Sequence, residues 1–387
     1  MENKYLKDDF KYSIELTQNL VKYNTYDNDA DKLECLRYVE KEINENCNGK
    51  VKIYENEVNG PLLIASLETD YSEFNLLVQG HMDVVSPEGV PNPFDAIIED
   101  GIMYGRGSCD MKAGCASIIS AFIRAAHLEE QKGNIYMVLT MDEEFSSQQI
   151  IDILKKEYIP QCDFALIAEP TELEIITAHK GNAWVDVNFI GKTAHASTPE
   201  KGINAIYMAT KFINTLLEDV VVSYESKRDE IYGVPTLNVG VIGGGSKPNV
   251  VPNECNVRLD KRYLPGDSIE TFITEINQVI DKCRETSDNF DAEIKIIGDW
   301  PSVVVERDNE SLLKIKAILD KSLEKDVEFT VGTYWGEGGF IQQYGIPVVY
   351  YGPGSISYAH TPNEQINVNE IIETSKGYFE VIKEMCF

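Results

Sequence analysis

The amino-acid sequence predicts an α/β fold in two parts: a mainly parallel, doubly wound domain and a ferredoxin-like domain inserted into it. Short apolar segments typical of buried strands alternate with segments of helical periodicity, which is the pattern of a parallel sheet covered by helices on both faces. The order of elements changes between residues 180 and 299. We therefore expect residues 1–179 and 300–387 to form the larger domain and residues 180–299 the inserted one.

The larger domain is predicted to begin with charged, amphipathic helices, and a further helix is predicted from Asp110 to about Glu130. The expected core contacts of the first helices are Leu16, Leu20, Leu33 and Leu36. The predicted strands, in chain order, are VKIYENEV, LLIASLE, NLLVQG, IYMVLTM, FALIAE and PVVYY. The last of these lies beyond the insertion and completes the larger domain.

The inserted domain is predicted to have the order strand, helix, strand, strand, helix, strand, which is the βαββαβ order of a ferredoxin-like domain. Its six predicted elements are Ala183–Ile190, Asn204–Leu217, Thr236–Ile242, Cys255–Tyr263, Ser268–Cys283 and Glu293–Ile297.

The net charge of −29 argues against nucleic acid and anionic membranes as partners, because both require basic surfaces. It favours solubility and, more weakly, a preference for cationic substrates. The sequence has no apolar run of about 20 residues and begins without the pattern of a signal peptide, so we expect a cytoplasmic location. None of the eight cysteines forms a CxxC pair, and reduced, mostly buried thiols are expected.

Ligand-type side chains follow three of the predicted strands. His81 follows one strand, Glu143 and Glu144 follow another, and Glu169 ends a third. The carboxyl ends of parallel strands form the ligand crevice of such sheets, so we expect these residues to lie together. Because consecutive side chains point different ways, one of the two adjacent glutamates can bind a metal while the other faces a substrate. An exposed acidic pair is the competing interpretation.

Three further residues suit the same centre, although each has a structural alternative. Asp83, two residues after His81, can fix the histidine tautomer, but a surface histidine gives the same pattern. Asp110 lies among glycines at a predicted helix start, where an acid also suits the helix dipole. His360 lies in a loop rich in glycine and proline, where a lone histidine is more often structural.

Together these histidines and carboxylates form a set suited to two adjacent zinc ions, and cobalt or manganese would fit the same donors. A bridging carboxylate can hold two such ions about 3.5–4 Å apart. The expected chemistry is hydrolysis, in which a free carboxylate takes a proton from water and passes it to the leaving amine.

The sequence resembles the M20 family of metallopeptidases and amidohydrolases, in particular the group of acetylornithine deacetylase and succinyl-diaminopimelate desuccinylase. The resemblance covers nearly the whole chain. The matching motifs, in order, are GHMDVV, YGRGSCDMKAG, MDEE, AEP, GKTAHASTPEKGINA, NVVPNEC…DKR and YGPG…AHTPNE.

The resemblance implies a role for each candidate residue. The residues implied at the two zinc ions are His81, Asp110 and Glu169 at one, and Asp110, Glu144 and His360 at the other, with Asp110 as the bridge. Glu143 would be the general base and Asp83 would orient His81. The family also tends to have a cis peptide bond after the bridging aspartate, here between Asp110 and Met111.

For the inserted domain the resemblance implies a role as a lid and as a homodimer interface. His195 would reach the partner subunit's site and stabilise the oxyanion. Asn249 and Arg262 would hold a substrate carboxylate, which suits a guanidinium fork, although a surface ion pair is the competing interpretation of Arg262. The sequence departs from the family where Gly336 and Glu337 replace a common Thr-Asp pair, so the specificity of any one relative does not by itself define that of this chain.

The expected function is hydrolysis of the amide bond of an N-acyl amino acid, of the acetylornithine or succinyl-diaminopimelate type. A dipeptidase or carboxypeptidase would use the same metals and the same base. A non-catalytic binder of amino acids or peptides would have lost some of the metal ligands. In this sequence all five implied metal positions are intact. A scaffold protein is disfavoured by the concentration of ligand-type residues at strand ends.

Overall fold

The computed structural model describes residues 4–6, 10–55, 59–287 and 289–387. The chain forms two compact units, here called the large unit and the inserted unit. The large unit consists of Met1–Thr177, Val305–Thr330 and Gly336–Phe387, and the inserted unit consists of Ala178–Val304 and Val331–Trp335. The predicted insertion, residues 180–299, lies within the inserted unit, whose short second segment the sequence did not predict.

The elements are numbered in chain order. The strands are β1 Lys50–Tyr54, β2 Leu62–Leu67, β3 Asn75–His81, β4 Ile97–Glu99, β5 Ile102–Tyr104, β6 Asn134–Thr140, β7 Phe164–Ile167, β8 Ile175–His179, β9 Gly181–Ile190, β10 Thr236–Gly244, β11 Glu254–Tyr263, β12 Ala292–Trp300, β13 Val303–Val304, β14 Phe329–Gly332, β15 Val348–Tyr350 and β16 Gln365–Asn367. The helices are α1 Tyr12–Val21, α2 Asp29–Asn46, α3 Lys112–Ala125, α4 Gln148–Lys155, α5 Ala205–Thr215, α6 Ile269–Glu285, α7 Glu310–Leu323, α8 Gly338–Gln343 and α9 Val368–Cys386. Short 3-10 helices cover Lys4–Leu6, Pro199–Lys201 and Val222–Lys227, and a π-helical turn covers Leu216–Val221.

The sheet of the large unit has four adjacent parallel strands at its centre, in the order β6, β3, β7 and β15. Strands β2 and β1 extend it with antiparallel pairing on one side, and β8 pairs antiparallel with β15 on the other. Nearly all residues of β3, β6, β7 and β15 are buried, as expected for strands covered on both faces. The predicted α/β fold with a mainly parallel central sheet is confirmed.

Several predicted details of the large unit differ from the structure. The first predicted strand ends at Tyr54, and its residues 56–58 lie outside the described residues, as do residues 1–3 and 7–9 of the predicted N-terminal helices. Of the predicted core leucines, Leu33 is only half-buried, while the other three are buried. The small antiparallel sheet β16-β5-β4 was not predicted.

The inserted unit contains an antiparallel sheet in the order β10-β11-β9-β12. Its elements follow the chain order β9, α5, β10, β11, α6, β12. A separate apolar core, which includes Phe189, Phe212 and Phe272, joins the helices to one face of the sheet. Strand β10 is an edge strand, and its Val241 and Ile242 are 54% and 53% exposed. A role of this unit as a lid or a dimer interface stays a prediction.

Two predictions from composition can be compared with the structure. All eight cysteines are free thiols, and only Cys47 is not buried. Among the described residues, none of the helices has both the length and the apolar character that crossing a membrane requires.

Candidate metal centre

The candidate metal centre lies at the carboxyl ends of the parallel strands of the large unit. His81 is the last residue of β3, Glu143 and Glu144 follow β6, and Glu169 follows β7. Strands β6, β3 and β7 are neighbours in the sheet, so their ends meet at one edge. The structure brings these four side chains together, as the strand pattern predicted.

Asp110 reaches the same edge from the loop that precedes α3. It does not open the helix, which begins at Lys112, and its peptide bond to Met111 is cis. Glycine at position 114 lets α3 approach the end of β7, because a Cβ atom there would lie 1.9 Å from the carbonyl oxygen of Ala168. This close approach places Asp110 and Glu169 at the same centre.

The loop of Asp110 is held by Glu364, a residue for which the sequence predicted no role. Its buried carboxylate accepts hydrogen bonds from the backbone N–H groups of Cys109 and Asp110, both at 3.0 Å, and it forms an ion pair with buried Arg106. Glu364 lies four residues after His360, so it joins the loops of two candidate ligands. Its place in the AHTPNE motif was the available signal.

Asp110 occupies a bridging position. Its Oδ1 atom lies 3.2 Å from Nε2 of His81, and its Oδ2 atom lies 3.3 Å from Nε2 of His360. Each carboxylate oxygen therefore faces a different histidine. A third ligand completes each side: Glu169 Oε1 lies 3.5 Å from His81 Nε2, and Glu144 Oε1 lies 3.1 Å from His360 Nε2.

These distances fit divalent metal ions. Donor atoms at about 2.0–2.1 Å from a tetrahedral ion lie about 3.3 Å from one another, and the four separations above range from 3.1 to 3.5 Å. Two sets of three donors, each within 4.8 Å of one another, meet this geometry: His81, Asp110 and Glu169, and Asp110, Glu144 and His360.

Glu143 lies beside these two sets. Its Oε2 atom is 3.8 Å from Nε2 of His81, farther than the other carboxylates, and its side chain is buried. It also belongs to a third set of donors with His81 and Glu144. Glu143 is thus close enough to act on a molecule at the metal centre, and the geometry also allows it to be a ligand.

The electrostatics of the centre favour a cation. Burial raises the pKa of Glu143 and Glu169 well above the ordinary range. Burial alone would lower the pKa of His81, but Glu169 and Asp110 raise it well above its usual value. Hydrogen bonds with Asp110 and Glu144 raise the pKa of His360 to about 10. The carboxylates around each histidine therefore stabilise a positive charge there, whether that of a proton or of a metal ion.

The four carboxylates of the centre, on Asp110, Glu143, Glu144 and Glu169, form ion pairs with the two histidines. In the part of the chain that the structure describes, no lysine or arginine forms an ion pair with them. Burying several carboxylates without cations is costly. The donor set therefore fits two divalent ions, which would balance this charge.

Asp83 lies beside His81 and also contacts the turn after β6. Its Oδ1 atom lies 3.4 Å from Nδ1 of His81, but its own backbone carbonyl oxygen is closer to that nitrogen, at 3.1 Å. The carboxylate accepts hydrogen bonds from the backbone N–H groups of Glu143 and Glu144, at 3.3 and 3.0 Å. Asp83 thus fixes the turn after β6 as well as the ring of His81.

The three candidate residues of the inserted unit are exposed or half-buried. The ring of His195 contacts Ser197 Oγ at 2.7 Å, and the carbonyl of Asn249 accepts a hydrogen bond from Ala196, so His195 and Asn249 lie on adjacent loops. Arg262 is on β11 and forms a two-pronged ion pair with Asp260, with Nε–Oδ1 at 2.9 Å. Its guanidinium fork is therefore engaged, as the surface ion-pair interpretation expected.

The sequence and fold of the chain are similar to those of known hydrolases. Residues 77–384 match the model of peptidase family M20/M25/M40. Acetylornithine deacetylase of Photorhabdus laumondii is 31% identical over 316 residues, which are 80% of each chain. That of Proteus mirabilis is 31% identical over 80% of this chain and 79% of its own. The fold is similar to that of a tripeptidase from Staphylococcus aureus, with a TM-score of 0.78 at 23% identity over 97% of this chain and 98% of the other.

Proposed function

We propose that this chain, which belongs to peptidase family M20/M25/M40, uses two zinc ions to hydrolyse the amide bond of an N-acyl amino acid. The observation that carries the proposal is the position of Asp110, whose two carboxylate oxygens face two different histidines. The relatives that are 31% identical over most of the chain are named acetylornithine deacetylases, which supports an N-acyl substrate.

The ligands in this proposal are the two sets of three described above, with Asp110 common to both. Nitrogen and oxygen donors of this kind suit zinc, and cobalt or manganese would also fit. When bound, such ions supply Lewis acidity to the scissile carbonyl and to the attacking water. Asp83 and Glu364 hold the backbones of the ligand loops through the hydrogen bonds they accept.

Glu143 is the general base of the proposed reaction. It takes a proton from the attacking water and then donates that proton to the leaving amine. Its side chain is buried beside the ligand sets, and divalent ions bound there would favour its ionised form, the form that accepts a proton. The backbone N–H of Glu143 donates to Asp83 at 3.3 Å, which keeps the base at a fixed distance from His81.

The inserted unit supplies the proposed substrate contacts. His195 would reach the partner subunit's site and stabilise the oxyanion of the tetrahedral intermediate there, and Asn249 and Arg262 would bind the free carboxylate of the substrate. We also propose a homodimer through this unit and retain the prediction of a cytoplasmic location. The exposed apolar residues of β10 support a dimer, because an uncovered edge strand is a template for pairing with another chain.

The experiment that tests the function is a hydrolysis panel with metal measurement. Purified protein is loaded with zinc and assayed on N-acetyl amino acids, N-succinyl amino acids and dipeptides, with chelated protein and the His81→Ala variant as controls. We expect hydrolysis of an N-acyl amino acid, about two zinc ions per chain, and loss of both activity and zinc in the variant. Hydrolysis of dipeptides alone would refute the proposed substrate and favour a dipeptidase or carboxypeptidase.

A further inference from the structure

We propose that Glu337 is a positioning residue of the metal centre: its buried carboxyl group fixes the ends of β3 and β6, the strands that place His81 and the pair Glu143 and Glu144. Glu337 is in none of the candidate ligand sets, so its contribution comes from hydrogen bonds to other residues. The proposal rests on the metal centre proposed above and adds a residue that sets how tightly that centre binds metal.

The chain around Glu337 is shaped to bury this side chain, which is 1% exposed. Glu337 precedes α8, and the glycines on either side of it lie against the ring of Tyr350 on β15. A Cβ atom on Gly338 would lie 2.4 Å from the tyrosine oxygen, and one on Gly336 would lie 3.1 Å from the ring. The backbone N–H of Gly338 also donates to this oxygen at 3.0 Å. Glycine at both positions therefore lets the start of α8 pack closely on the sheet.

The carboxyl group of Glu337 joins two neighbouring strands. Its Oε2 atom accepts hydrogen bonds from Thr140 Oγ1, at 2.9 Å, and from Gln79 Nε2. Gln79 lies two residues before His81 on β3, and Thr140 is the last residue of β6, three residues before Glu143. His81 and Thr140 are paired in the parallel register. One carboxyl oxygen thus ties the two strands together directly beside the residues of the metal centre.

The burial of these groups makes their hydrogen bonds hard to replace. Gln79 and Thr140 are fully buried, so removal of Glu337 leaves both without this acceptor. A buried polar group that loses its partner costs about 1–3 kcal/mol, and the strand ends can relax to recover part of that cost. Ligand positions would then shift, and loss of such outer hydrogen bonds typically weakens metal binding by about 10–100-fold.

The protonation of Glu337 provides a conservative variant. Burial, together with the negative charge of Asp142, raises the pKa of Glu337 to about 8. Glutamine copies the neutral form of this carboxyl group in shape and charge. The side-chain oxygen of Glu337→Gln can still accept hydrogen bonds from Gln79 and Thr140, so this variant is expected to retain the positioning.

The test measures zinc affinity apart from catalysis. Chelated wild type, Glu337→Ala and Glu337→Gln are titrated with zinc in competition with a chromophoric chelator, and Tm is recorded for chelated and zinc-loaded protein. Glu42→Ala is the matched control, because Glu42 is also a buried carboxylate of the large unit that accepts a hydrogen bond from a buried hydroxyl group, that of Tyr5 at 2.8 Å. We expect zinc affinity to fall about tenfold in Glu337→Ala and less than about threefold in Glu337→Gln. Glu42→Ala should lower Tm and leave zinc affinity unchanged.

The proposal would be overturned by a Glu337→Ala variant that binds zinc within about twofold of wild type, or by a Glu337→Gln variant as weak as Glu337→Ala. If Glu337→Ala does not fold, Thr140→Val removes one of the two hydrogen bonds and should weaken zinc binding in the same direction; unchanged binding in that variant would refute the proposal. A wild type that binds no zinc would refute the metal centre itself. A wild type that binds zinc but hydrolyses no N-acyl substrate would refute only the proposed substrate.

Discussion

The candidate residues of the large unit and those of the inserted unit differ in how the fold holds them. His81, Asp110 and Glu169 are buried, and their donor atoms lie within 3.5 Å of a neighbouring donor. In the inserted unit, His195 is exposed and Arg262 is engaged with Asp260. In the large unit, strand ends and the loops packed against them bring the candidate ligands together within one unit. His195 lies on an exposed loop and Arg262 on β11 is half-buried, so both side chains have more freedom to move than those of the large unit's centre.

The largest expected effect on kcat comes from removing the proposed general base, Glu143, of the large unit. Glu143→Gln should lower kcat by roughly 10⁴-fold, the upper end for general acid–base catalysis, because the proton of water then has no acceptor. Bound zinc should not change. The adjacent variant Glu144→Gln is the matched control and should lose zinc along with activity. Kinetics and metal content of both variants test the assignment, and zinc loss in Glu143→Gln would instead make Glu143 a ligand.

The next effect tests whether an exposed residue of the inserted unit contributes to catalysis. His195→Ala should lower kcat by roughly 10²–10³-fold, as expected for loss of a group that stabilises an oxyanion. Zinc content and Tm should be unchanged, because the side chain is exposed and belongs to neither proposed set of zinc ligands. Ser197→Ala, which removes the contact at 2.7 Å to the ring, should have a smaller effect on kcat. A kcat equal to that of wild type in His195→Ala would leave the inserted unit without a catalytic residue.

The grouping of the large unit's candidate residues could be predicted from the sequence because the signals are local. His81, Glu143 and Glu169 each follow an apolar run, and the run fixes both the strand and the point where it ends. Asp110 was predicted to begin a helix, but the helix begins two residues later, at Lys112. Glycine-rich loops leave no periodic pattern that would locate this boundary. The parallel centre of the sheet followed from the same runs, whereas the small sheet of three-residue strands was too short to predict.

Residues that act through buried polar contacts were harder to predict. The role of Glu364 depends on a loop that is close only after folding, and the partners of Glu337 lie on β3 and β6, far away in the sequence. Arg262 is different, because Asp260 lies two residues before it on the same strand. Residues so spaced project from the same face, and this spacing could have predicted their ion pair.

A third prediction concerns the acid stability of the inserted unit. Burial lowers the pKa of His179 to about 4, whereas a histidine in the unfolded chain titrates near its ordinary value of about 6.5. As the pH falls from about 6.5 to about 4, the unfolded chain gains a proton that the folded chain does not, so stability falls by about 3 kcal/mol. Urea unfolding of chelated protein at pH 7 and 4.5 should show a smaller acid loss in His179→Gln than in wild type. His195→Gln, an exposed control, should behave as wild type; an equal acid loss in His179→Gln would contradict the assignment.

The smallest expected effect decides which interpretation of Arg262 is correct. An ion pair at a partly exposed site stabilises a protein by no more than about 1 kcal/mol, so Arg262 can leave Asp260 when a substrate carboxylate is present. On that basis Arg262→Ala should raise KM roughly tenfold, the loss of one charge-assisted hydrogen bond, and change kcat little. Asp260→Asn is the matched control: it frees the guanidinium group and should leave KM equal to or below that of wild type. If both variants raise KM by the same small factor, the pair with Asp260 is the only role of Arg262. The substrate carboxylate must then be bound by other residues.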